Sequence, residues 1–300
     1  MKNIRTVCGW RISLIVLLAA VLVLPATRPA SATASSGDYL ALGDSLAFGS
    51  NPLLDPNNAA NFVGYPDYVA QTRDLTVTNP SCPGETSSGF ISFTGTDYQC
   101  RPYRASYPLH VTYPTSTTSQ LEYAVAFLAS HPDTQLVTLN IGANDVFLME
   151  QQCMLVTSCI MGSLKPVLDL LKSNLATIYD QLKANYHHQI ITLTYYPPSY
   201  NDPTNVQIFT ELNQAITDAA TAANASGSIV TVADGYAAFQ TASLAGNICA
   251  AGLLIPLPPG GPPCDYHAST AGQQLLAQTI THVTVATIKS STVLLPLVMR

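Results

Sequence analysis

The chain has 300 residues, 47% hydrophobic and only 10% charged, with a formal net charge of −6. That length suits one sizeable domain with a well-buried core. The acidic balance argues against nucleic acid or an anionic membrane surface as partner.

Lys2, Arg5 and Arg11 give the chain a positively charged start, and residues 12–24 are an almost unbroken apolar run. Pro25 and two small-residue cleavage candidates follow, Ala30-Ser31-Ala32 and Ala32-Thr33-Ala34. Charged, apolar and small segments in this order read as a secretory signal peptide over residues 1–34. The apolar run is shorter than the roughly 17–25 residues that span a bilayer, so cleavage is expected and a retained membrane anchor is not. Cys8 precedes the run and leaves with it. Cleavage leaves eight basic against eighteen acidic residues, a net charge of −10. A secreted, extracellular chain with a single domain over 35–300 is therefore expected.

Strand-like apolar runs at 39–42, 75–78, 136–141, 190–194 and 229–233 alternate with amphipathic helical spacing at 121–129, 164–183, 209–223 and 270–288. In the second helix Leu168, Leu171, Leu175, Ile178 and Leu182 fall on one face. Strands separated by helices imply βαβ units and a parallel sheet covered on both faces. Residues 79–118 and 242–266, rich in Pro, Gly, Ser and Thr, read as long loops. The apolar tail 292–300 is compatible either with an extra strand or with packing against the body.

Six cysteines remain after cleavage: Cys82, Cys100, Cys153, Cys159, Cys249 and Cys264. An even number in an exported chain points to disulfides. Of the fifteen possible connectivities, the local one is the simplest: Cys82–Cys100, Cys153–Cys159 and Cys249–Cys264. No Cys-x-x-Cys or His-Glu-x-x-His spacing occurs, and no metal is expected.

Ligands of open parallel sheets bind beyond the carboxyl ends of the strands. Three polar blocks fall there: Gly43-Asp44-Ser45-Leu46, Cys82-Pro83-Gly84-Glu85-Thr86 and Gly142-Ala143-Asn144-Asp145. A fourth, Asp265-Tyr266-His267, reads as the opening of the last helix. Taken alone, Ser45 would be a helix N-cap, Gly84 a turn residue and Asn144 a cap.

In this order, from Tyr39 to about Ile288, the blocks resemble those of the SGNH (GDSL-type) hydrolases. The resemblance implies a three-layer α/β/α sandwich with a flavodoxin-like parallel sheet of about five strands. It implies a serine esterase or lipase that works through an acyl-enzyme, with Ser45 as nucleophile and His267 as base. It also implies an oxyanion hole made by the backbone N–H groups of Ser45 and Gly84 and the amide of Asn144. Among six histidines, only His267 lies where the family places its base; His110, His131, His187, His188 and His282 do not.

One departure stands out. The family's acid usually lies three residues before the histidine, where this chain has Cys264; Asp265 is two before. Either Asp265 reaches His267, or a backbone carbonyl orients the imidazole. Asp44 and Asp145 read as supports of the loop backbone. The resemblance requires no cofactor. It leaves the substrate between lipid and glycan esters, with small or medium acyl esters favoured. Tyr98, Tyr103, Tyr107, Tyr113, Pro256 and Pro258 are candidates to line an acyl groove. A carbohydrate acetyl esterase, or a non-catalytic binding protein on the same scaffold, is the alternative. The expected state is a monomer.

Overall fold

The structure, a computed structural model, describes residues 37–224 and 229–291. The signal peptide expected over 1–34 and the tail 292–300 lie outside the described residues. Five parallel strands form the sheet: β1 (Gly37–Gly43), β2 (Leu75–Thr78), β3 (Leu136–Asn140), β4 (Ile190–Leu193) and β5 (Val230–Ala233). Their order is β2-β1-β3-β4-β5. β1 pairs with β3 so that Gly43 stands opposite Asn140. Every residue of β3 and β4 is buried, which requires helices on both faces.

Those helices form two groups. α2 (Tyr65–Arg73) packs with α10 (Thr270–Ser291), and α9 (Gly235–Ala242) packs against α10. On the other side α5 (Gln120–Ser130) and α8 (Pro203–Ala223) pack on α7 (Thr157–Asn185). α7 buries Leu164, Leu168, Leu171, Leu175, Ile178 and Leu182, a stripe at the 3.6-residue period. It begins at Thr157, well before the expected 164. α8 begins at Pro203 and not at 209, because Asp202 caps the N–H groups of Thr204 and Asn205 at 2.9 and 3.3 Å and proline suits the first helical turn.

The two long segments read as loops are partly ordered. Residues 79–118 contain α3 (Ser87–Ile91) and α4 (Cys100–Ser106). Residues 242–266 lead into an antiparallel pair, β6 (Leu254–Pro256) and β7 (Cys264–Ala268). The expectation that Asp265-Tyr266-His267 opens the last helix is therefore corrected. These residues lie on β7, and α10 starts only at Thr270, where Ser269 Oγ accepts from Gly272 N at 3.3 Å. β7 is held as a strand by its ladder with β6 and by Cys264, which bonds Cys249. The three local cysteine pairs stand at disulfide distance, with Cα separations of 5.5, 5.5 and 5.9 Å. No described helix is long and apolar enough to cross a membrane.

Candidate active site

The turn leaving β1 builds the first part of the site. A Cβ on Gly43 would lie 2.4 Å from the Asn140 carbonyl oxygen, so the tight exit admits glycine alone. Asp44 caps the short helix α1 (Ser45–Phe48), its Oδ1 accepting from Leu46 N at 2.9 Å. The cap is thus Asp44, and Ser45 is the first helical residue. Asp44 is only 1% exposed. Burial pushes its carboxyl up to about 6, although the Tyr195 hydroxyl (2.6 Å) and Leu46 N–H pull the other way.

Three buried carboxamides fix this turn. Gln120 accepts from Gly43 N at 2.6 Å and donates to Gly43 O at 2.9 Å. Asn79 donates to Ala47 O at 2.9 Å. Gln273, from α10, donates to Leu46 O at 3.2 Å and accepts from Tyr65 N at 2.8 Å. These residues were not singled out in the sequence; a buried amide far along the chain from the backbone it holds leaves no local pattern.

The second block is a turn in which Glu85 N donates to Cys82 O at 3.1 Å. Cys82 N donates to Gly43 O at 3.2 Å, joining this turn to the first. Gly84 has φ +80°, and a Cβ there would lie 2.3 Å from Gln99 Cβ. The need for glycine thus comes from left-handed backbone and a crowded neighbour. Gln99 N in turn holds Gly84 O at 3.2 Å, beside the Cys82–Cys100 bridge. Cys82, Glu85 and Cys100 have metal-ligand spacing, but both sulfurs are joined to each other and offer no thiolate. Burial, reinforced by the charge of Asp97, pushes the Glu85 carboxyl up to about 8.

Asn144 is the second residue of α6 (Ala143–Gln152) and is 4% exposed. One of its amide protons goes to Glu85 O at 2.9 Å, which leaves the other for a ligand. Asp145 accepts from Ser87 N at 2.9 Å and Ser87 Oγ at 2.6 Å, pinning the start of α3. Burial raises its carboxyl to about 6.

β7 supplies the last part and packs against α1. Successive strand side chains alternate between faces, so residues two apart share one. Asp265 Oδ1 accordingly meets His267 Nδ1 and accepts from His267 N at 2.9 Å. Burial raises the Asp265 carboxyl, yet the bonds and charge of His267 outweigh it and hold the group below the usual range. Other histidines are engaged elsewhere: His110 Nε2 lies 2.9 Å from Phe48 O, and His131 stacks on Phe127 at 4.1 Å.

Ser45, Gly84, Asn144 and His267 all face one cleft of ≈ 1050 Å³. Tyr98, Tyr103 and Tyr107 line it too. Tyr113, Pro256 and Pro258 do not, which corrects the expected groove. Tyr113 donates to Pro80 O at 2.5 Å and carries the Arg104 guanidinium on its ring at 4.0 Å, while Pro256 sits on β6. At the mouth, Met154 and Leu155 are 83% and 74% exposed, at φ 49° and 60°, within the loop closed by Cys153 and Cys159.

The fold has solved counterparts. A catalytic mutant of an acetylxylan esterase from Geobacillus stearothermophilus superposes with a TM-score of 0.51 at 19% identity, over 83% of this chain and 94% of that one. An α/β hydrolase from the metagenome of Lake Arreo, Spain, gives 0.50 at 16%, over 84% and 96%. No curated protein matches the chain significantly. The model of the GDSL-like lipase/acylhydrolase family matches residues 41–275, a span that takes in the β1 turn, the Gly84 turn, the start of α6 and β7. The chain belongs to that family.

Proposed function

We propose that the protein is a secreted serine esterase that cleaves carboxylic esters through an acyl-enzyme. The observation that carries this reading is the pairing of Asp265 with His267 on one face of β7, beside a cleft that Ser45, Gly84 and Asn144 share. A serine hydroxyl needs a base to take its proton. A carboxylate on Nδ1 keeps the imidazole proton there and leaves Nε2 to accept. Ser45 Oγ bonds to the ester carbonyl carbon, and its proton passes to His267. The carbonyl oxygen becomes an oxyanion that the N–H groups of Ser45 and Gly84 and the free amide proton of Asn144 receive. Collapse breaks the C–O bond to the alcohol, which leaves with the proton from His267. Water, deprotonated by His267, then releases the acid and restores Ser45.

The cleft's tyrosines, prolines and phenylalanines favour small or medium acyl esters. The three cysteine pairs at disulfide distance favour an oxidising, extracellular location. The test is hydrolysis of p-nitrophenyl esters of increasing acyl length by the oxidised protein lacking residues 1–34, beside Ser45→Ala. Turnover that disappears with Ser45→Ala is expected. A folded protein inert on these esters but active on acetylated xylan would reassign the substrate to glycans. Inactivity on both would leave the binding-protein reading.

A further inference from the structure

The cleft contains one acidic side chain that ester cleavage leaves unused. Glu150 lies on α6, six residues beyond Asn144, and lines the same cavity. Among the described residues no hydrogen bond or ion pair reaches its carboxylate, and burial alone raises its pKa. Among the described residues, no Lys or Arg lines the cleft. A half-buried carboxylate with no partner carries a desolvation cost, and a cleft walled only by acidic and neutral groups concentrates cations.

The neighbours of Glu150 fit the same ligand. Phe147 is three residues earlier, so the two side chains are adjacent on the helix. The Phe147 ring lies 6.3 Å from that of Tyr266 and 6.4 Å from that of Phe209. Tyr266, 64% exposed, directly precedes His267. Phe147, Tyr266, Glu150 and His267 thus line the same cleft, and it offers aromatic rings and a negative charge together. Aromatic faces attract ammonium groups, more strongly where water is displaced.

We propose that Glu150, with Phe147 and Tyr266, binds an alkylammonium group carried by the ester, so that the preferred substrates are cationic esters. The placement beside the reacting centre rests on the esterase reading; the cation site itself does not. Six residues of helix advance about 9 Å along the axis, so the charge lies more than one helical turn beyond the Asn144 end of the site. A short alkyl spacer between carbonyl and nitrogen covers that length.

The experiment is calorimetric titration of hexyltrimethylammonium, below its micellar range, into oxidised Ser45→Ala protein, with and without Glu150→Gln. Heptanol serves as the neutral comparison. The cation is expected to bind on the order of tenfold more weakly to Glu150→Gln, with an affinity in the parent that falls as salt rises, and heptanol is expected to bind both proteins alike. Because Gln keeps the size of Glu and removes only its charge, equal cation affinity in the two proteins would overturn the charge-based site and leave the aromatic wall alone as the binder. Absence of cation binding to the parent would overturn it as well. Should Glu150→Gln fail to fold, Phe147→Leu tests the aromatic half of the site, where weaker cation binding is expected and equal affinity would overturn it, and a parent affinity that does not fall with salt would overturn the role of the charge. Hydrolysis of p-nitrophenyl hexanoate by the unmutated protein, measured in parallel, reports on the esterase reading alone. Its failure with cation binding intact would separate the two.

Discussion

The Asp265 carboxylate takes two bonds from His267, one from the backbone N–H at 2.9 Å and one from Nδ1. Both depend on β7 being extended. On a helix, residues two apart point to different sides, and the pair would be lost. The disulfide from Cys264 to Cys249 anchors the strand at the residue next to Asp265, so the same cysteine helps to fix the strand on which Asp265 and His267 meet.

Asp265→Asn is expected to lower kcat by roughly 10²–10⁴-fold with little change in KM, because it disturbs the tautomer and orientation of the histidine without removing substrate contacts. Steady-state kinetics on a p-nitrophenyl ester decide it. A rate within a few-fold of the parent would mean that a backbone carbonyl or water orients His267.

Asn144→Ala should cost on the order of 10²–10³ in kcat, the usual loss for one oxyanion donor, while thermal stability shifts much less. Gly84→Ala should behave differently. With φ at +80° and Gln99 Cβ 2.3 Å from the added carbon, it should destabilise the protein by about 1–3 kcal/mol. Equal melting temperatures for Gly84→Ala and the parent would count against this geometry.

Stability should fall as pH rises from about 5 to above 8. The carboxyls of Asp44 and Asp145, raised to about 6, and of Glu85, raised to about 8, hold protons in the folded state that the unfolded chain has already released. Where the native state binds more protons, raising the pH destabilises it. Melting curves at pH 5, 7 and 8.5 test this. Glu85→Gln should flatten the alkaline part of the trend, and an unchanged slope would remove Glu85 as its source.

Leu155→Gly should raise stability by up to about 1 kcal/mol, since Leu155 sits at φ 60° with its side chain in solvent. A drop in melting temperature would mean that its contacts at the cleft mouth outweigh the backbone strain.

Much of this architecture is written in local patterns. The runs that became β1 to β5 are short and apolar and are separated by helical spacing, so the parallel sheet follows from period alone. α2 did not, because Tyr65–Arg73 mixes polar and apolar residues without a stripe. The β6–β7 pair was read as loop because its turn is dense in proline and glycine. The placement of Asp265 and His267 failed for the same reason: three residues show no period, and their strand exists only through β6 and a disulfide. Glu150 is one acid among eighteen in the sequence; its place beside Phe147, Tyr266 and the cleft comes from the packing of α6 against the rest of the site.

The amides of Gln120, Asn79 and Gln273, which brace the Ser45 turn, carry no charge at any pH the protein can survive. Salt cannot screen them and alkali cannot strip a proton from them, so the scaffold of the Ser45 turn should keep its shape across brines and buffers that would unfasten one built on ion pairs. The sensitivity of the site to its medium is thereby confined to the few groups that titrate. The weakness such a design accepts is slow: amide side chains hydrolyse to acids with age, and a single conversion at Gln120 would set a carboxylate against the Gly43 carbonyl it now donates to.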